Sequence, residues 1–279
     1  MNSSLFPIHA TKMSGAGNDF IIIDNRDRLI TADEQPSLAA ALCRRCVSVG
    51  ADGLILIEPS PTVDFRWQFY NSDGSVAEMC GNGARCAARF AHDHEIAPAV
   101  MKFETVAGII TAEILGAGEQ VRVGMTQPFG YRELPPISLE GEEYPMTFIN
   151  TGVPHVVLFA DTDQNSAKNW GKEIRFHQLF EPAGTNVNFV SRGTDGVLMV
   201  KTYERGVEEI TRACGTGVVA AGIIASLKGE ADIPARIRTS GGEELVVSFI
   251  KRGDSFDEVT LQGPARIIYS AELTSEALL

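Results

Sequence analysis

The sequence predicts an α+β protein of two similar domains related by a pseudo-twofold axis. Each would be a curled, mostly antiparallel, barrel-like sheet around a central helix. Three observations carry this prediction. The first is an internal repeat. Met79-Cys80-Gly81-Asn82-Gly83 and Ala213-Cys214-Gly215-Thr216-Gly217 lie 134 residues apart, close to half of the 279-residue chain. The same spacing relates Gly50–Leu56 to Gly184–Val190 and Thr105–Gly108 to Thr239–Gly242, in the same order. The second is the density of short β-type runs bounded by turn residues. The third is one small-residue or apolar helical stretch directly after each repeated cysteine.

In chain order, the first half reads as strands over 20–24, 54–58, 65–70, 101–103, 109–114 and 120–125. Its helices are expected at Ser37–Cys46 and after Cys80. There Ala84, Ala87, Ala88 and Ala91 fall at i, i+3, i+4 and i+7 and form a stripe of small residues. The second half reads as strands over 146–149, 155–159, 187–190, 197–203, 236–238, 244–250 and 258–261, with a helix at Lys172–Phe180. The stretch after Cys214, Val218 to Ala225, is apolar on every side and predicts a helix buried on every side. Near the start of the halves, the segment from Gly17 to Asp24 resembles that from Val153 to Phe159 at a slightly longer offset. The stretch holding Pro128, Pro135, Pro136 and Pro145 is the expected crossing between domains. The first domain would then be 1–127 plus 266–279, completed by a returning strand at 266–269, and the second 128–265.

Composition bounds the function. Hydrophobic residues make up 44% and charged residues 22%, which is ordinary globular composition. A formal net charge of −12 argues against nucleic-acid binding, which needs basic surface to neutralise phosphates. No apolar run reaches membrane-span length, and the first residues carry no secretory pattern. The five cysteines are therefore expected as free thiols in a cytoplasmic protein.

The repeated Cys-Gly-Xaa-Gly motif points to chemistry. A cysteine where a helix begins meets unpaired backbone N–H groups and the positive end of the helix dipole, both of which favour thiolate. The glycines let a ligand approach the backbone. Each half thus offers a poised thiol beside an anion site. If the halves face each other, one thiolate can remove the α-proton of a bound amino acid and the opposite thiol can return a proton on the other face. That inverts the stereocentre and requires no cofactor. A thiol redox protein pairing Cys80 with Cys214 as a disulfide and a plain amino-acid binder remain competing classes, although the first has no use for the two anion sites and the second leaves the two thiols unexplained. Cys43, Cys46 and Cys86 read as ordinary cysteines. His92-Asp93-His94 lacks a third ligand, so no metal is expected there.

These motifs resemble a known family. Asn71-Ser72-Asp73-Gly74-Ser75 through Met79-Cys80-Gly81-Asn82-Gly83-Ala84-Arg85-Cys86 is similar to the first signature of the diaminopimelate epimerases. Tyr203-Glu204-Arg205-Gly206-Val207 through Ala213-Cys214-Gly215-Thr216-Gly217 resembles the second. Lys12-Met13 through Gly17-Asn18-Asp19-Phe20 and Gly184-Thr185-Asn186-Val187-Asn188-Phe189 match further elements. The resemblance implies cofactor-independent interconversion of LL- and meso-diaminopimelate, on the route to lysine and peptidoglycan precursors. It implies Cys80 and Cys214 as base and acid, with the amides of Gly81, Asn82, Gly215 and Thr216 on the reacting carboxylate. It implies Asn18, Asn71, Asn186, Glu204 and Arg205 on the distal end of the substrate, and a homodimer. His155 is a candidate for tuning a thiol. Val153, Ile210, Arg212 and Ser48 depart from the family's usual residues. The alternative is a two-cysteine racemase of the same fold acting on histidine, proline or hydroxyproline.

Overall fold

The computed structural model describes residues 6–279. The chain divides into two compact units. One runs to Val123 and resumes over Gly263–Leu279; the other is Gly124–Gln262.

The first unit contains β1 (Ile8–Gly15), β2 (Asn18–Asp24), α1 (Gln35–Leu42), β3 (Gly53–Glu58), β4 (Phe65–Asn71), α2 (Gly81–Asp93), β5 (Val100–Thr105), β6 (Gly108–Leu115), β7 (Gln120–Gly124) and the C-terminal β17 (Arg266–Leu273). β17 pairs antiparallel with β1, and β1 with β2. β2–β3 and β4–β5 are parallel, whereas β3–β4, β5–β6 and β6–β7 are antiparallel. β3, Gly-Leu-Ile-Leu-Ile-Glu, is buried along its whole length. Its continuous apolar run suits a strand covered on both faces. α2 buries its alanine stripe together with Arg85, Cys86 and Phe90.

The second unit repeats this order with β8 (Phe129–Leu139), β9 (Glu142–Asn150), β10 (Pro154–Phe159), α3 (Gln164–Arg175), β11 (Asn186–Arg192), β12 (Leu198–Glu204), a short β13 (Glu209–Thr211), α4 (Gly215–Leu227), β14 (Ala235–Thr239), β15 (Glu244–Arg252) and β16 (Ser255–Pro264). The pairing types repeat as well. β10–β11 and β12–β14 are parallel, while β8–β9, β9–β10, β11–β12, β14–β15 and β15–β16 are antiparallel. α4 buries every residue from Gly217 to Ala225, as its uniform apolarity requires. No helix among the described residues is long and apolar enough to cross a membrane.

Three local expectations are corrected. α1 ends at Leu42 rather than Cys46, because Cys46 takes a left-handed φ of +66° and the Leu42 and Cys43 carbonyls accept N–H groups from Gly50 and Ala51. The helix expected at Lys172–Phe180 begins eight residues earlier. The Asp163 carboxylate accepts the Ser166 N–H at 2.8 Å and caps it, and Gln178–Phe180 is only a 3-10 turn. The proline-bearing stretch expected as a connection is largely the hairpin β8–β9. Pro135 and Pro136 fall where its register breaks between Leu134 and Ile137, a place where a missing N–H costs no ladder bond.

Candidate active site

Each unit places its repeated cysteine at the N-cap of a 13-residue helix, α2 after Cys80 and α4 after Cys214. Both residues are extended, at φ/ψ −147°/115° and −122°/107°. The carbonyl of each accepts the first helical bond, from Ala84 N–H at 2.8 Å and from Val218 N–H at 2.9 Å. Neither side chain caps its helix by a hydrogen bond, and neither first turn holds an acidic residue. The N-terminal amides at Gly81-Asn82 and Gly215-Thr216 therefore keep their capacity for an anion.

The surroundings of the two thiols differ. Cys214 is buried, and its Sγ lies 3.5 Å from Thr216 Oγ1. That hydroxyl lies 2.9 Å from Nε2 of His155, which has no solvent exposure. Asn188 fixes the proton positions. Its Nδ2 faces the Val156 carbonyl at 3.0 Å, and a carbonyl can only accept, so this end of the amide is the nitrogen. The same Nδ2 then donates to His155 Nδ1 at 3.1 Å, while Asn188 Oδ1 accepts from the Thr202 hydroxyl at 2.9 Å. The imidazole proton is left on Nε2, directed at Thr216. The Thr216 hydroxyl proton is left for the sulfur. Burial, helped by the positive charge of Arg205, pushes the His155 pKa down to about 3. The ring is neutral at physiological pH and acts through a hydrogen bond. Gly217 is needed here, since a Cβ would stand 2.4 Å from Asn188 Oδ1.

Cys80 is half-buried and its neighbourhood is built from amides and charge. Asn82 Nδ2 donates to Asn18 Oδ1 at 2.8 Å, and Asn18 Nδ2 donates to Asp52 Oδ2 at 2.9 Å. The fully buried Arg85 donates to Asn82 Oδ1 at 2.6 Å and to the Gly81 and Pro264 carbonyls at 3.3 Å. Asp52 also accepts from Arg45 at 2.7 Å, and Arg45 and Lys12 both pair with Asp19.

The remaining candidates fall into two groups. Asn186 is buried, donating to the Pro154 carbonyl at 2.9 Å and accepting the Arg205 N–H at 2.8 Å, so it fixes the chain at Arg205. Glu204 ends β12, and burial raises its carboxyl pKa against a lowering by the Thr211 side chain. Asn71 ends β4 opposite Gly53, with its Nδ2 3.0 Å from Ser75 Oγ. The structure sets the candidate Asn18 against Asn82, next to Cys80, and the candidate His155 against Thr216, next to Cys214. Sequence reading missed Asn188, Thr202, Arg85 and Asp52. Asn186-Val187-Asn188 carried a signal, because residues two apart on a strand share a face.

Cys43 and Cys86 are buried in apolar surroundings that push both thiols up to about 12, so they stay protonated. His94 closes α2 with Nδ1 2.9 Å from the Phe90 carbonyl and its ring stacked on Phe90. Ile210 packs against the apolar core of the second unit, and Ser48 Oγ donates to the Ala277 carbonyl at 2.6 Å.

A family model described as diaminopimelate epimerase matches residues 10–129 and 147–268. The diaminopimelate epimerase of Aquifex aeolicus is 43% identical over 277 residues, covering 96% of this chain and 98% of that protein. The diaminopimelate epimerase of Chlorobaculum tepidum is 40% identical, covering 94% and 100%. Among solved structures, a Bacillus anthracis phenazine biosynthesis protein of the PhzF family superimposes with a TM-score of 0.73 at 14% identity, covering 95% of this chain and 98% of that one. An Agrobacterium vitis hydroxyproline epimerase does so with a TM-score of 0.66 at 16% identity, covering 96% and 93%. At such identities the structural likeness speaks for the fold alone, whereas two-part coverage of the chain by the family model and near-full-length identity to the named relatives speak for the family. The chain belongs to the diaminopimelate epimerase family.

Proposed function

We propose that this protein interconverts LL- and meso-diaminopimelate by two-base proton transfer at the α-carbon, with Cys80 and Cys214 as the two bases. The observation that supports this reading most is the pair of cysteines at the same position of equivalent helices, each beside uncapped N-terminal amides. One thiolate takes the α-proton and becomes a thiol. The electron pair passes into the carboxylate as an enediolate-like charge, which the amides of Gly81, Asn82, Gly215 and Thr216 stabilise. The opposite thiol then protonates the other face and becomes the thiolate. The reaction needs no cofactor and no metal in this reading. His155 acts through Thr216, whose hydroxyl proton favours the thiolate of Cys214 without being transferred. Asn18, Asn71, Asn186, Glu204 and Arg205 hold the distal end, with Arg205 suited to a carboxylate and Glu204 to an ammonium.

The place of this reaction is cytoplasmic, in the supply of lysine and peptidoglycan precursors. The assembly proposed is a homodimer, checked by light scattering on the purified protein. Chiral chromatography of the reduced protein with LL-diaminopimelate tests the activity. Formation of the meso isomer, lost in Cys80→Ala and in Cys214→Ala, supports the reading. Turnover of proline or histidine in place of diaminopimelate contradicts it.

A further inference from the structure

The amide chain beside Cys80 has a direction, and its two ends set it. At one end stands Arg85, a guanidinium that can only donate; at the other stands Asp52, a carboxylate that can only accept. Between them lie two carboxamides, each able to turn either way when alone. Arg85 claims Asn82 Oδ1, so Asn82 must show its nitrogen to Asn18. Asp52 claims Asn18 Nδ2, so Asn18 must show its oxygen to Asn82. A reversed Asn18 would place its oxygen against the carboxylate of Asp52. Reversing both amides would also place an Asn82 N–H against Arg85. Only one of the possible arrangements satisfies every group. Each carboxamide commits one of its two N–H groups to the chain and retains the second as its remaining donor.

The ends are themselves anchored. Arg85 has no solvent exposure and also holds the Gly81 and Pro264 carbonyls. Asp52 is held by Arg45 at 2.7 Å and by the Asp19 N–H at 3.2 Å, and Arg45 is paired with Asp19 in turn. Asn18 opens β2 in a parallel pair with β3, and the register of that pair sets Gly53 opposite Phe20, which brings Asp52 alongside.

We propose that Arg85 and Asp52 are positioning residues that fix the polarity of the Asn82–Asn18 pair, so that Asn18 presents an N–H, rather than a carbonyl oxygen, to a carboxylate of the substrate. This rests on the reading of Asn18 as a substrate contact. A neighbouring carboxylate (Asp52) would otherwise repel an anionic ligand group; the directed amide stands between the two and converts an acceptor into a donor. The interaction is equal in ground and transition states, so its loss acts on binding.

The test is a double-mutant cycle with LL-diaminopimelate on the full-length reduced protein, measuring KM, kcat and thermal midpoint for Asp52→Asn, Asn18→Ala and the double variant. Asp52→Asn removes the acceptor-only end with little change of shape. It is expected to raise KM about tenfold and leave kcat within about twofold, the size of one hydrogen bond to a charged group. In the Asn18→Ala background it is expected to have no further effect on KM, because no amide remains to be directed. Equal KM effects in both backgrounds, or a kcat loss matching the KM rise, would overturn the proposal. Arg85→Met and Arg85→Lys form a second arm read by side-chain amide NMR. Wild type should show Asn18 and Asn82 Nδ2 protons protected from exchange, with protection lost in Arg85→Met and partly restored in Arg85→Lys. Unprotected amides in wild type would overturn the chain itself. Protected amides in a protein that leaves diaminopimelate unchanged would instead count against the substrate reading.

Discussion

The two cysteines share a helix start and differ in almost everything around it. Cys214 is buried and connected to a neutral imidazole through one hydroxyl, within a network of Asn188, Thr202 and two backbone carbonyls. Cys80 is half-buried and adjoins amides tied to Arg85 and Asp52, with Arg45 paired to Asp52 and Asp19 and Lys12 paired to Asp19. A duplicated scaffold thus supplies the same dipole and the same amides twice, while each copy adapts its environment separately. One thiol stands beside a hydroxyl that is linked to an uncharged ring. The neighbourhood of the other is organised by fixed charges.

The largest expected effect comes from removing either thiol. Cys80→Ala and Cys214→Ala should each lower kcat by about 10³-fold or more, the scale of a positioned acid or base. A residual rate in only one of them would mean that the two sites are not equivalent bases. Next comes Thr216→Val, which keeps the shape and the backbone amide but cuts the link between His155 and Cys214. It should lower kcat roughly tenfold and shift the pH profile of Cys214 alkylation upward, leaving Cys80 unchanged. An equal shift at both cysteines would break the comparison.

His155 also leaves a mark on stability. Its folded pKa of about 3 lies below the ordinary histidine value, so between roughly pH 6.5 and 3 the unfolded chain binds the extra proton. Folding stability should therefore fall as the pH drops below about 6.5, by up to about 1.4 kcal/mol per pH unit from this group, and show no contribution from it above. His155→Gln should flatten that part of a urea-denaturation series; an unchanged slope would contradict a buried neutral ring. Gly217→Ala should destabilise by about 1–3 kcal/mol through the clash with Asn188. Gly83→Ala, at the equivalent place in α2, meets Ile55 Cδ1 at 3.3 Å and the Phe20 ring at 3.5 Å and should cost less. The smallest signal is alkylation at pH 8 of the native protein, where Cys43 and Cys86 should stay unmodified because burial raises both thiols to about 12.

Much of this was legible in the sequence because it depends on local pattern. β3 is a continuous apolar run, α4 is apolar on all sides, and the cysteine motifs announce themselves by repetition. What escaped is what depends on non-local partners. The end of α1 is set by carbonyls meeting Gly50 and Ala51, and the start of α3 by a single aspartate cap among polar residues. β8 defied the usual reading of a Pro-Pro pair because its ladder breaks there. In the site, His155 was visible as a candidate. Its connection through Thr216 and Asn188 exists only because β10 and β11 pair in parallel with His155 opposite Asn186, which puts Asn188 beside the ring. Arg85 lay inside the first signature, yet nothing in its spacing announced that it would be buried and turned onto Asn82.

The central claim is that two different thiols handle the outgoing and incoming protons. The most direct test is the isotopic content of the first products formed from LL-diaminopimelate in D₂O. Two bases predict that meso product carries solvent deuterium at the inverted carbon while unreacted LL substrate still holds its original proton. Meso product that retains the substrate's own proton, or equal early deuteration of both isomers, would mean that one base serves both faces and would contradict the account.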